Sequence, residues 1–222
     1  MALHDLEVLP DADAAAERFA TLLAMRARSL VTATGRFTVA LSGGSGPWQS
    51  FRLLAGEDVP WDAVEIFQVD ERVAPMGDDE RNLTHMKASL PEAAWARMHP
   101  MPVDSDDLEA AASQYAQLLP ERLDVAHLGL GPDGHTASLV PGDAVLGVTD
   151  RDVAITETVY QGRRRMTLTY PMLDRSRELL WLVTGESKAE PLRLLLAGDP
   201  SIPAGRIRAE RSLIVADEAA AG

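Results

Sequence analysis

The sequence predicts an α/β fold in which helices cover both faces of a mostly parallel sheet. Apolar runs of strand length, at residues 37–41, 64–69, 123–130 and 213–216, alternate with stretches whose apolar residues recur at helical spacing. Continuous apolar runs are typical of parallel strands that are buried on both faces. With 222 residues, 46% of them hydrophobic, the chain suits one Rossmann-like domain over residues 1–222, with or without a small extra lobe.

The first predicted helix covers residues 11–34, where apolar side chains recur every three or four positions. Asp11 or Asp13 can cap its amino end through a carboxylate, and Gly35 can end it in a left-handed conformation. We therefore expect a long surface helix before the first strand.

A strand–loop–helix unit follows. The strand at 37–41 leads into the glycine-rich loop 42–46, after which Pro47 suits the first position of a helix. Asp106 and Glu109 are spaced as a capping box for a helix over 106–119. The other predicted elements are strands at 64–69, 123–130, 153–158, 165–169, 179–184 and 213–216, and helices at 82–90 and 187–197.

Composition narrows the classes of protein to which the chain can belong. Its formal net charge of −13 disfavours binding to nucleic acids or anionic membranes, because the long-range field repels polyanions. The absence of cysteine excludes disulfides and thiolate metal sites, and the first thirty residues lack an apolar segment of signal-peptide length. We expect a soluble cytoplasmic protein, in which any anionic substrate requires a locally basic pocket.

The segment after the apolar run 123–130 is the best candidate for a catalytic turn. It places Asp133 and His135 at the carboxyl end of a strand, the edge at which open α/β sheets bind ligands. A histidine there can transfer a proton near neutral pH, and Asp133 can orient its ring. The alternative is a histidine that only stabilises the turn. The match of 129–134 to a dinucleotide motif is weakened by Pro132 and by the lack of a long helix after it.

Several other segments offer groups for an anionic ligand. The loop 42–46 precedes a helix, whose free N–H groups bind phosphate, although a plain turn is the alternative. It lacks the lysine of a nucleotide-triphosphate loop. Lys188 begins a helix, where a cation is unfavourable unless an anion is bound. Arg165 is the last of three consecutive arginines, 163–165, and begins a strand. Asp70, Glu71 and Arg72 follow the strand 64–69. For both charge clusters the alternative is a solvated surface. The remaining histidines show no metal-ligand spacing, so we predict no metal site.

These segments occur in an order and spacing that resemble one enzyme family over nearly the whole chain. The blocks that carry the resemblance are 41–45, 69–72 with Asn82, 129–142, 165–169, 185–189, 202–204 and 215–220. They are similar to the 6-phosphogluconolactonases, within a superfamily that includes glucosamine-6-phosphate deaminases and ribose-5-phosphate isomerases.

The resemblance implies hydrolysis of 6-phospho-D-glucono-1,5-lactone to 6-phosphogluconate in the oxidative pentose phosphate pathway, without a cofactor. It implies that His135 is the general base, with Asp133, Asp70 and Arg72 around it. The implied substrate and phosphate contacts are Ser42, Gly43, Gly44, Ser45, Asn82, Arg165 and Lys188. The only partner implied is a phosphorylated sugar lactone, bound by a monomer or weak homodimer.

Two rivals share the implied fold. A glucosamine-6-phosphate deaminase or isomerase is disfavoured because residues 136–142 contain no glutamate after the histidine. A sugar-phosphate sensor without turnover is disfavoured by the presence of His135. The chain also departs from the family pattern at three residues. Gly46 removes a possible hydroxyl contact to phosphate, Arg81 lies in a loop that could contact the substrate differently, and Pro191 could shift the start of the helix that carries Lys188.

Overall fold

The computed structural model describes residues 4–222, apart from the side chain of Ser45. A seven-stranded sheet, in which every neighbouring pair is parallel, forms the centre of this part of the chain. Its strands, in spatial order, are β1 (Asp5–Leu9), β10 (Arg211–Asp217), β9 (Glu178–Val183), β6 (Val125–Leu128), β2 (Phe37–Leu41), β3 (Val64–Gln68) and β5 (Met98–His99).

A second sheet is small and antiparallel. It contains β4 (Asp70–Arg72), β8 (Arg165–Leu168) and β7 (Val153–Ile155), in that order. The apolar runs at 153–158 and 165–169 are therefore strands, but they are not part of the main parallel sheet. The connection 156–164 is too short for the crossover that parallel strands require, so the two strands pair as a hairpin.

The helices mostly follow the predicted segments. Asp11 caps the first one by accepting a hydrogen bond from the N–H of Ala14, and Gly35 ends it at φ 80°. The bounds are α1 (Ala12–Thr34), α2 (Ser45–Leu54), α3 (Asn82–Ser89), α4 (Leu108–Leu118), α5 (Tyr170–Asp174), α6 (Ala189–Leu196) and α7 (Glu218–Ala221).

Two predicted helix starts are wrong in detail. Helix α2 begins at Ser45, two residues before Pro47, with Gly44 as its N-cap. Helix α4 is capped by Asp107, whose carboxylate accepts from the N–H of Ala110 at 3.0 Å. The predicted capping box from Asp106 is therefore not formed, because the neighbouring aspartate occupies the cap position.

Helices pack on both faces of the main sheet, as predicted. Alternate residues of one strand point to opposite faces, so Val39 and Leu41 of β2 join one apolar core and Ala40 joins the other. The first core includes Phe19 of α1 and Phe51 of α2. The second includes residues of α4, α5 and α6.

The two edge strands of the main sheet were not predicted. Strand β1 lies at the edge of the sheet and is only partly buried, while β5 contains two residues. Neither has the continuous apolar run that identifies the central strands. No helix among residues 4–222 is both long enough and apolar enough to cross a membrane.

Candidate active site

The order in which strands are added to the main sheet reverses between the central strands β2 and β6. From β2 the chain continues to β3 and β5 on one side, whereas from β6 it continues to β9 and β10 on the other. Loops that leave the carboxyl ends of neighbouring strands diverge at such a switch point, and open α/β sheets bind ligands in the resulting crevice.

A cavity of about 300 Å³ lies at this switch point. The loops after β2, β3, β6 and β9 surround it, and strand β8 of the small sheet closes one side. The predicted site residues that line the cavity are Ser42, Gly43, Gly44, Asp70, Arg72, Asn82, His135, Arg165 and Lys188. The structure thus brings together residues that are far apart in the sequence. The side chain of predicted Ser45 lies outside the described part of the chain.

His135 and Asp133 form a hydrogen-bonded pair on the turn after β6. The Nδ1 atom of His135 lies 2.5 Å from Oδ1 of Asp133, and the backbone N–H of His135 donates to the same oxygen at 3.2 Å. This contact leaves Nε2 as the nitrogen that can exchange a proton with a ligand. Burial by itself raises the pKa of Asp133, but the hydrogen bonds and charge of His135 outweigh burial and lower it. Asp133 therefore stays anionic beside the imidazole.

The turn brings Gly131 directly beneath the imidazole ring. The Gly131 N–H donates to the carbonyl of His135 at 2.7 Å. A Cβ atom at Gly131 would lie 2.0 Å from Nδ1 of His135 and 2.7 Å from Oδ1 of Asp133. Only glycine leaves room for the ring in this position.

Asp70, Arg72 and Asn82 form a second polar group that lines the cavity. Arg72 donates through Nη1 to Oδ1 of Asn82 at 2.6 Å, and Asn82 donates through Nδ2 to the carbonyl of Asp70 at 3.0 Å. Gly43 packs against this group, since a Cβ there would lie 2.0 Å from Oδ1 of Asn82. The loop after β2 and the loop after β3 are therefore in direct contact.

Glu71 supports this group from the interior and was missed as a site-supporting residue in the sequence. Its fully buried carboxylate accepts from the N–H groups of Arg72, Asn82 and Leu83 at 2.7–2.8 Å. It also forms an ion pair with Arg81 at 3.4 Å. Because the acceptor comes from a strand eleven residues before α3, no local capping pattern in the sequence indicates it.

The departures from the family pattern have three different consequences. Arg81 itself does not line the cavity, because its side chain is buried beside Glu71. Gly46 does line the cavity, next to Leu182 and Thr184. Pro191 is the third residue of α6, in the first helical turn, where its missing N–H leaves no helical hydrogen bond broken.

Arg165 and Lys188 supply positive charge to the cavity. Arg165 is 4% exposed, and its Nη1 lies 3.8 Å from Oδ2 of Asp70. Burial lowers the pKa of Arg165, while the charge of Asp70 opposes this shift. Lys188 is the N-cap of α6, and no carboxylate of residues 4–222 lies within 4 Å of its amine. Burial lowers the pKa of Lys188, and Asp133 opposes this effect.

The other two arginines of the run 163–165 point elsewhere. Arg163 pairs with Glu80 and Asp78, and Arg164 donates to the carbonyl of Thr156. Only Arg165 of the three lines the cavity. Among residues 4–222, no cluster of three or more histidine, aspartate or glutamate side chains is arranged to hold a metal ion.

His127 forms hydrogen bonds with Ser42, the first residue of the glycine-rich loop 42–46. It is fully buried in β6, it packs against Phe19 and Phe51, and its Nδ1 accepts from the N–H of Ser42 at 3.2 Å. The hydroxyl of Ser42 donates to the carbonyl of the same histidine at 2.9 Å. Burial lowers the pKa of His127 to about 3, so the ring is neutral in the folded protein.

Because His127 is neutral in the folded protein, we expect the free energy of unfolding to fall in acid. Below about pH 6.5 the unfolded chain takes up a proton at His127 that the folded protein does not, so the free energy of unfolding falls as the pH decreases. At pH 5 we expect this residue to account for about 2 kcal/mol of the loss. Urea unfolding at pH 7 and pH 5 should show a smaller loss for His127→Gln than for the wild type. Equal losses would contradict a buried neutral ring.

Comparisons with known proteins agree with this arrangement of elements. A family model described as glucosamine-6-phosphate isomerases/6-phosphogluconolactonase matches residues 10–215. The chain belongs to this family. A 6-phosphogluconolactonase of Mycobacterium tuberculosis is 35% identical, with 97% of this chain and 96% of that protein covered. One from Nostoc sp. is 32% identical, with 98% and 96% covered.

Solved structures show the same fold of the glucosamine-6-phosphate isomerase/6-phosphogluconolactonase family. The 6-phosphogluconolactonase of Thermotoga maritima superposes with a TM-score of 0.87 at 26% identity, covering 97% of this chain and 100% of that one. A monomeric glucosamine-6-phosphate deaminase superposes with a TM-score of 0.83 at 20% identity, covering 98% of both chains. The second likeness concerns the fold alone. The predicted mostly parallel α/β fold and the predicted family are both confirmed.

Proposed function

We propose that this protein hydrolyses 6-phospho-D-glucono-1,5-lactone to 6-phosphogluconate, the second step of the oxidative pentose phosphate pathway. The observation that carries the proposal is that one cavity holds both an aspartate-paired imidazole and two cationic side chains, in a chain whose relatives are named 6-phosphogluconolactonases. A lactone carbonyl is already electrophilic. A positioned base and an anion-binding group are therefore sufficient for its hydrolysis, and we propose no cofactor.

In the proposed reaction, His135 acts twice. Its Nε2 removes a proton from water while the water oxygen attacks the lactone carbonyl carbon, and the carbonyl oxygen becomes an oxyanion. The oxyanion then re-forms the carbonyl, the bond to the ring oxygen breaks, and that oxygen takes the proton back from Nε2. Asp133 stabilises the imidazolium between the two steps, as its contact with Nδ1 permits. Arg72 lines the same cavity and can face the developing oxyanion.

The phosphate of the substrate would bind to the cationic side chains that line the same cavity. We assign Arg165 and Lys188 to it, together with Gly43 and Gly44 at the amino end of α2. Ser42 also lines the cavity, but it gives both of its hydrogen-bond donors to His127 and would support the loop rather than hold the phosphate. Lys188 is suited to this role because a cation at the amino end of a helix is unfavourable until an anion neutralises it. Asp70 and Asn82 would hold Arg165 and Arg72 in place.

The direct test compares two substrates. Purified protein should accelerate acid release from freshly prepared phosphorylated lactone above the spontaneous rate, which a reaction without protein measures. It should release little ammonia from glucosamine 6-phosphate. Faster ammonia release would identify a deaminase, and binding of 6-phosphogluconate without turnover of either compound would identify a sensor.

The sequence contains two lysines, so a substitution of Lys87 can serve as the control for a substitution of Lys188 in the proposed phosphate site. We expect Lys188→Ala to raise KM by roughly 10- to 100-fold, the value of a hydrogen bond to a charged group, with little change in kcat. A phosphate remote from the reacting carbon is held equally in the ground state and the transition state. Lys87 lies over the ring of Trp95, so Lys87→Ala should keep the wild-type KM. An unchanged KM in Lys188→Ala would remove this lysine from the site.

The cellular setting is also a proposal. The absence of cysteine is compatible with a reducing compartment, and we propose that the protein acts in the cytoplasm as a monomer or weak homodimer, with residues 1–222 as one domain.

A further inference from the structure

The connection between β7 and β8 reaches over the candidate active site. Residues 157–164 make up most of this connection and are named the 157–164 hairpin. At one end the Asp143 carboxylate accepts from the N–H of Thr158 at 2.8 Å and from its hydroxyl at 2.5 Å. At the other end Arg163 pairs with Glu80 and with Asp78. The hairpin is therefore fixed at both ends, and its tip carries Tyr160.

On one side, Tyr160 contacts the proposed catalytic pair. Its hydroxyl donates to Oδ2 of Asp133 at 3.2 Å and lies 3.4 Å from Nδ1 of His135. The two rings meet edge to face, with centroids 5.2 Å apart. Each carboxylate oxygen of Asp133 thus has its own partner, the imidazole for Oδ1 and the phenol for Oδ2.

On its other side, the same residue contacts the buried arginine. The guanidinium carbon of Arg165 lies 5.2 Å from the centroid of the Tyr160 ring, within cation–π distance. Arg165 also donates through Nη2 to the carbonyl of Tyr160 at 3.4 Å and to the side-chain oxygen of Gln161 at 3.1 Å. Gln161 reaches this position with φ 52°, a left-handed conformation that is uncommon for a residue with a side chain.

We infer that Tyr160 is a positioning residue for the proposed lactonase reaction, because its hydroxyl fixes the carboxylate of Asp133 against His135 and its ring holds the guanidinium of Arg165. One residue then links the proposed proton-transferring pair to the arginine that we assign to the phosphate. The inference rests on the proposed function for its kinetic consequences, although the contacts themselves do not depend on it.

The exposure of Asp133 explains why such a partner matters. The side chain of Asp133 is 36% exposed, whereas that of His135 is 19% exposed. A carboxylate that is partly solvated can rotate and exchange its partner for water. A donor on Oδ2 holds the carboxylate plane so that Oδ1 stays on Nδ1. Burial and the charge of Asp133 raise the pKa of Tyr160, so the phenol keeps its proton at neutral pH and remains a donor.

Two substitutions separate the roles of the hydroxyl and the ring. Tyr160→Phe removes only the hydroxyl, and we expect kcat to fall by about 10-fold, the lower end of the value of a hydrogen bond to a charged group, with KM unchanged. Tyr160→Leu also removes the aromatic face over Arg165, and KM should then rise as well. We therefore expect Tyr160→Phe to keep the wild-type KM and Tyr160→Leu to raise it. A wild-type kcat in Tyr160→Phe would overturn the proposal.

A measurement without substrate keeps this inference separate from the proposed function. Nitrogen NMR of labelled histidine, with the His135 signals assigned by their loss in His135→Ala, reports which ring nitrogen carries the proton. We expect wild-type His135 to be protonated at Nδ1 in its neutral form, and Tyr160→Phe to give a mixture of tautomers. If the wild type fails to hydrolyse the lactone, the proposed function fails, and the tautomer result still decides the positioning role.

The neighbouring residue provides the control for the fold of the hairpin. Val159 is 65% exposed, so Val159→Ala should change neither kcat nor the His135 signals. If Val159→Ala lowers kcat as much as Tyr160→Phe does, the effect belongs to the hairpin as a whole and the proposal for the hydroxyl is wrong. An unchanged His135 tautomer in Tyr160→Phe would overturn it independently.

Discussion

Replacing His135 by alanine is expected to lower kcat for the phosphorylated lactone by roughly 10²- to 10⁴-fold, the usual contribution of a positioned general base. The loss should be concentrated in kcat, because His135 is the proposed general base and the cationic side chains to which we assign the phosphate remain. Binding of 6-phosphogluconate, measured by calorimetry, should therefore stay near the wild-type affinity. Steady-state kinetics with subtraction of the spontaneous hydrolysis rate provides the measurement.

A histidine outside the cavity provides the control for this variant. His99 lies on the edge strand β5, where it stacks on Phe67 and pairs with Glu65, and it does not line the cavity. His99→Ala should retain the wild-type kcat. If His135→Ala also retains it, the assignment of the general base is wrong even if the protein is a lactonase.

Replacing Gly131 by alanine is expected to lower kcat by about 10²-fold, since a displacement of about 1 Å in a catalytic group can have this effect. The added Cβ would lie 2.0 Å from Nδ1 and 2.2 Å from Cε1 of His135, far inside van der Waals contact. The ring must therefore move away from Asp133. This variant tests the geometry of the base while leaving its chemical groups intact.

The expected loss in Gly131→Ala should occur without unfolding. The turn lies at the surface of the cavity, and circular dichroism should show the wild-type secondary structure. A Cβ added at Gly147 would meet no heavy atom within 4 Å beyond its chain neighbours, so Gly147→Ala is the matched control and should keep full activity. A wild-type kcat in Gly131→Ala would mean that the position of His135 beside Asp133 is not required for turnover.

The central strands and the catalytic turn could be predicted because their signals are local. Strands β2, β6 and β9 are buried on both faces, so each requires a continuous apolar run. Asp133 and His135 are two residues apart, and their contact depends on one tight turn. Helix α1 likewise carries its capping groups, Asp11 and Gly35, next to its own ends.

Other features depend on contacts between distant segments. Residues 70–72 follow β3 almost directly, yet they pair with β8 in a separate antiparallel sheet. The side chain of Arg81, next to Asn82 in the sequence, is buried in the interior, where it pairs with the carboxylate of Glu71. The hydroxyl of Tyr160 reaches Asp133 across a sequence separation of 27 residues. None of these partners can be identified from the residues adjacent to each position.

Residue types and spacing were sufficient to predict the alternation of strands and helices, the turn that pairs His135 with Asp133, and the family. These properties follow from apolar periodicity, glycine placement and the order of short motifs along the chain. The charges that reach the cavity could be identified only in the folded protein, because burial and pairing separate Arg165 from Arg163 and Arg81. Desolvation and ion pairing depend on the positions of neighbouring segments in space, and residue types and spacing do not specify those positions.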